Sequence, residues 1–145
     1  MKIKLGLMLI ALLLCGCDNR QPPPKGFAGL GEQAGAFTPV VPGRVFSFPA
    51  DHGVHEGFRI EWWYVTANLK DAEGRDYGVQ WTLFRSALNA APQASGWRNQ
   101  TIWLGHAAVT SSAVHHAAER YARGAVGQAG VQTTPFDACI DDWRF

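Results

Sequence analysis

The stretch from Arg59 to Leu69, RIEWWYVTANL, constrains the fold more than any other part of this chain. Aromatic and β-branched residues crowd it, and such residues suit a packed, pleated surface. Alternation places Arg59, Glu61, Trp63, Val65 and Leu69 on one face and Ile60, Trp62, Tyr64 and Thr66 on the other. Each face carries a large aromatic, so a strand covered on both sides is expected. The segment before it holds Pro49, Gly53 and Gly57 and reads as a loop that brings His52, His55 and Glu56 beside the strand.

The same rhythm recurs downstream. Lys70 to Asp76 is polar and contains Gly74, which suits a hairpin loop. In Tyr77 to Arg85, residues Tyr77, Val79, Trp81 and Leu83 alternate with Gly78, Gln80, Thr82 and Phe84. Ser86 to Gln100 reads as a longer loop. A third strand, Thr101 to Thr110, sets Trp103, Ala107 and Val109 against Ile102, Leu104, His106 and Ala108. Ser112 to Arg123 is alanine-rich, opens on serine and stops at Gly124, which predicts one short surface helix. Val126 to Thr133 and Phe136 to Phe145 read as further strands. The fold class is therefore all-β, an antiparallel sheet curling into a barrel or sandwich. Trp143-Arg144-Phe145 follows without a terminating turn, so the chain is expected to continue beyond it.

The 145 residues suit one domain or part of a larger one. With 47 % hydrophobic and 17 % charged residues, the chain can bury a core. A formal net charge of +1 gives no footprint for nucleic acid. At the amino end, Lys2 and Lys4 precede an apolar run from Leu5 to Leu14, too short to span a bilayer as an ordinary helix. The run ends in Leu14-Cys15-Gly16-Cys17, which resembles a bacterial lipobox with Cys17 as the lipidated residue; ordinary secretory cleavage is the alternative. Residues 1–17 are thus expected to be a lipoprotein signal, residues 18–43 a Pro/Gly-rich tether, and residues 44–145 the folded domain. Either way the chain is expected to be exported, and the lipoprotein reading adds an acyl anchor on the periplasmic face of a membrane. Asp18, by resemblance to enterobacterial lipoproteins, favours the inner membrane. Cys139 is then left alone as a small core residue, and no CxxC pair supports a redox or zinc site.

Among titratable groups, His52, His55, His106, His115 and His116 lack any strict ligand spacing, so neither a metal nor another cofactor is expected. Glu61, set among apolar neighbours, is either a buried salt-bridge partner of Arg59, Arg85 or a histidine, or a general acid or polar anchor at a pocket mouth. The aromatics Trp62, Trp63, Tyr64, Trp81 and Trp103 either pack a core or wall a cavity for a lipid or polyene. The candidate ligand-binding set is His52, His55, Glu61, Trp62, Trp63, Tyr64, Trp81, Trp103 and His106. No nucleophile elbow, Walker or dinucleotide fingerprint occurs.

Phe48-Pro49-Ala50-Asp51-His52-Gly53-x-His55 followed by Glu61-Trp62-Trp63-Tyr64-Val65-Thr66-x-Asn68-Leu69 resembles the signature of the AttH/CrtC family of secreted proteins. Gly105-His106-Ala107-Ala108-Val109-Thr110, Ala118-Glu119-Arg120-x-x-Arg123-Gly124, Gly127-x-Ala129-Gly130 and Asp141-Asp142-Trp143 extend the resemblance. It implies a lipocalin-like barrel, the first of a tandem pair. It also implies either binding of a hydrophobic small molecule, with an ABC-type permease as partner, or a hydratase or hydrolase related to carotenoid hydratases. The resemblance carries over no catalytic residue to this part of the chain.

Overall fold

A computed structural model describes residues 36–145; the leader, Cys17 and the first part of the tether lie outside them. Four strands, β1 (Ile60–Lys70), β2 (Asp76–Ala87), β3 (Thr101–Ser111) and β4 (His115–Arg123), form an antiparallel meander in the order β1-β2-β3-β4. A second sheet is built from β5 (Ala129–Thr133), β6 (Phe136–Ile140) and β7 (Trp143–Arg144). The expected β1–β2 loop and its Gly74, at φ +80°, are present. Phe136 to Phe145 is not one strand: it folds back at Asp141, which adopts φ 51°.

The predicted helix is a strand. β4 pairs with β3 from Ile102↔Arg123 to Thr110↔His115. Alanine favours a helix only weakly, and nine residues of ladder hydrogen bonding outweigh it. The turn between β3 and β4 is capped by the residue before the expected helix start: Ser111 Oγ accepts from the backbone N–H of Ala113 and Val114, and Ser111 N–H donates to Val114 O at 2.8 Å. His115 and His116 consequently point to opposite faces of a strand.

Across the four strands the register gathers the odd-numbered residues of β1 to β3 with the even-numbered residues of β4 on one face. This inner face carries Trp63, Leu83, Trp103 and Ala122, and the second sheet packs on it through Ala138 and Ile140, both fully buried. Each large apolar side chain so buried contributes about 1.5–3 kcal/mol. Gly105 marks the closest approach: a Cβ there would lie 2.7 Å from Ile140 Cγ2. Arg120 on β4 completes the contact, its guanidinium 4.7 Å from the Trp143 ring.

Two further expectations change. The outer face is not covered: Ile60, Trp62 and Tyr64 are 50 %, 55 % and 63 % exposed. The second sheet is too small to wrap both sides, and among the described residues the two sheets stay open rather than closing into a barrel. Cys139 is half-buried rather than core, alternating between the buried Ala138 and Ile140. Upstream, the packed region reaches back to Phe37, which is buried, and Thr38 N–H donates to Gly57 O at 2.8 Å.

Candidate functional site

The loop before β1 is fastened to the sheet by a chain of five charged side chains. Glu61, at the start of β1 on the inner face, lies opposite Arg85 of β2. Arg85 is 2 % exposed, and its guanidinium donates to Glu61 Oε2 at 3.0 Å and to Phe58 O at 3.1 Å. Glu61 also accepts from His55: the backbone N–H reaches both carboxylate oxygens at 3.0 Å, and Nδ1 lies 2.7 Å from Oε1. On the far side of the imidazole, Nε2 is 2.7 Å from Asp51 Oδ1. Asp51 accepts in turn from Arg44 at 2.7 Å and from the Ser47 backbone N–H.

A histidine between two carboxylates satisfies both only as the imidazolium, which donates from both nitrogens. The hydrogen bond to Asp51, and then the bond and charge of Glu61, raise the His55 pKa above its ordinary value against the cost of desolvation. Asp51 moves the other way: the Ser47 N–H, His55 and Arg44 hold its carboxyl well below the usual range. Each Glu61 oxygen already accepts two hydrogen bonds. Of the two roles open to Glu61, this geometry matches the salt bridge.

Apart from Trp81, the candidate residues divide into three groups. His55 and Glu61 belong to the chain just described, which with Trp62 and Trp63 bounds a shallow hollow of about 250 Å³. Trp63 and Trp103 stack in the core, ring centroids 5.8 Å apart, and the Trp63 indole N–H donates to His52 O at 2.8 Å. The His52 ring sits 4.5 Å from Phe48 and 5.8 Å from Phe136, while both His55 ring nitrogens face carboxylates, so the His-x-x-His pair is divided between two sets of partners. Among the described residues no group of three or more His, Cys, Asp or Glu side chains comes together as metal ligands. Trp62, Tyr64 and His106 occupy the outer face, where His106 Nε2 lies 3.4 Å from Glu119 Oε1.

Trp81 stands apart. It is on the inner face beyond the second sheet, with Phe145 at 5.6 Å and an indole N–H that is buried without a hydrogen-bond partner among the described residues. Register places Val79, Val109 and His116 in one row and Trp81, Ala107 and Ala118 in the next. Apart from Trp81 and His116 the side chains along these rows are small, and they line a trough of about 320 Å³. Of that lining only Trp81 belongs to the candidate ligand-binding set read from the sequence, and His116 is weighed there only as a metal ligand. Alternating alanine and valine on one face of paired strands is the signal that could have found it, because small residues leave space where large ones fill it.

Comparison with known proteins places these features in a lineage. The family model described as AttH-like matches residues 39–145. A solved structure from Nitrosomonas europaea, named for the same family, is 34 % identical over 75 % of this chain, with a TM-score of 0.57. The matched part spans 32 % of that longer chain. No curated protein matches.

Proposed function

This chain belongs to the AttH-like family, and from that premise we propose that it binds an apolar small molecule, a lipid or isoprenoid, in the trough beside Trp81. The single observation that carries this reading is the shape and lining of that trough: strand-borne walls of Val79, Trp81, Ala107, Val109 and Ala118 around about 320 Å³. Walls made by hydrogen-bonded strands are already in place before a ligand arrives, so little ordering entropy opposes binding. A larger hollow of about 540 Å³ lies beneath Thr38 to Arg44, but its wall is the irregular segment itself, with Val40 and Val41 exposed. The trough is the better formed of the two.

The setting belongs to the same proposal. Cys17 would anchor the chain at the periplasmic face of the membrane, inner rather than outer on the strength of Asp18, and an ABC-type permease would deliver or remove the ligand there. Support for the anchor comes from the leader sequence alone, and for the permease from the family resemblance alone.

A hydratase reading draws on the hollow that sets Trp62 and Trp63 beside Asp51, His55 and Glu61. Protonating an alkene needs an acid free to approach the substrate. Asp51 is held ionised, Glu61 is fully engaged by His55 and Arg85, and both His55 nitrogens are committed to carboxylates. Binding is the function the geometry supports best. Native mass spectrometry of the protein incubated with a neutral membrane-lipid extract tests it: a bound apolar species lost in Ala107→Phe supports the reading. Equal retention by that variant contradicts it.

A further inference from the structure

A second hollow, of about 290 Å³, lies where β3 and β4 end farthest from their connecting turn. Its lining comprises Leu88, Ile102, Tyr121 and Ala122 as an apolar wall, with Asn99, Thr101, Gln128 and Arg123 as the polar part. Arg123 is the one charged residue of this lining, and among the described residues its guanidinium has neither a hydrogen bond nor an ion pair. Gln128 likewise leaves its side-chain amide uncommitted. Other polar groups there are already engaged: Asn99 Nδ2 donates to Ala94 O at 2.9 Å, Thr101 Oγ1 to Gln93 Oε1 at 3.3 Å, and the Tyr121 hydroxyl to Glu119 Oε2 at 3.2 Å.

We propose that this hollow is a binding site for the anionic head, a carboxylate or phosphate, of a small amphiphile whose apolar body lies on Leu88, Ile102 and Tyr121. The argument is one of charge and of a fixed backbone. A cation without a partner, in a lining with no carboxylate, is complementary to an anion, and a guanidinium binds oxyanions in a fork of two parallel hydrogen bonds. The backbone that carries Arg123 is held on both sides. Arg123 pairs with Ile102, and Gly124 N–H donates to Thr101 O at 2.9 Å. Asn99, buried beneath, accepts from Thr101 N–H at 2.8 Å and so fixes the floor. Bound ligand would therefore meet a wall carried on paired strands, and the exposed Arg123 guanidinium, with no partner to give up, would close on its head. This site is separate from the trough beside Trp81 and does not rest on that reading.

The test is titration calorimetry of the full chain with decanoate, decanol, acetate and inorganic phosphate, repeated for Arg123→Gln and for Arg75→Gln as a charge-matched control on the remote β1–β2 hairpin. The expected result is decanoate binding weakened about tenfold or more by Arg123→Gln and unchanged by Arg75→Gln, since loss of a charge-assisted fork costs at least that factor. Decanol and acetate are each expected to bind more weakly than decanoate. Phosphate or acetate binding as tightly as decanoate would overturn the amphiphile in favour of a free anion. Decanoate binding that Arg123→Gln leaves intact would overturn the site. Circular dichroism of each variant separates a binding loss from misfolding: a loss in a folded Arg123→Gln supports the site. If that variant unfolds, Leu88→Glu, which adds an anion to the same wall, must itself abolish decanoate binding or the proposal fails.

Discussion

The two ends of the inner sheet face are built from the same alternating strands and reach opposite results. At one end, Trp63 and Trp103 stack in the core beside the Glu61–Arg85 pair, and the second sheet and the Arg44–Phe58 loop pack against them. At the other, Val79, Ala107, Val109 and Ala118 stop short and leave a trough with Trp81 on its wall. The residues with the most chemistry are used for fastening, and the residues with the least make room. A cluster of His, Asp, Glu and Arg beside tryptophans invites a catalytic reading, but here every member has a partner among the others.

Arg85→Ala should break the closed end most severely. It removes the buried cation paired with Glu61 and leaves the Phe58 carbonyl without its Arg85 donor, and loss of one partner from a buried pair costs about 3–5 kcal/mol. Urea denaturation should show that loss, while a variant within about 1 kcal/mol of the parent would mean that the charged chain fastens nothing. Ala107→Phe acts at the open end. It should weaken binding of a neutral apolar probe by about tenfold or more while moving the unfolding midpoint little, because its ring enters space that is already empty.

Acidity sharpens the comparison further. The raised pKa of His55 means that its contribution to stability is full below about pH 6.5, the ordinary histidine value, and is lost as pH rises through the higher folded value. Asp51, lowered, contributes above about pH 4 and loses its contribution as pH falls below that. Proteolysis within Arg44–Phe58 should therefore quicken at mildly alkaline pH, and His55→Gln should remove that dependence. Trp81→Phe is expected to have the smallest effect, within about 1 kcal/mol, because the indole N–H it deletes is buried without a partner. A larger loss in thermal unfolding would indicate a bonded indole.

Much of this was legible in the chain itself. Strict alternation in β1, β2 and β3 assigned each residue to its face, and the Glu61 partners were among Arg59, Arg85 and a histidine. What escaped was non-local. β4 reads as a helix because Ala117, Ala118 and Ala122 carry no β signal of their own, and only the partner strand imposes one. The bare outer face around Trp62 and Tyr64 could not be foreseen from residue types that are ordinarily buried. Asp51 and Arg44 join the site through a loop whose path depends on the sheet beneath it. The trough is a property of missing side-chain volume across three strands, visible only once their register is known.

The most direct measurement is fluorescence titration of a neutral apolar probe, N-phenyl-1-naphthylamine, against the parent, Ala107→Phe and His55→Gln. The account predicts an affinity about tenfold or more weaker in Ala107→Phe and within about threefold of the parent in His55→Gln, since the first fills the trough and the second loosens only the fastening. The reverse order, with His55→Gln abolishing binding and Ala107→Phe indifferent, would contradict it and move the site to the charged end.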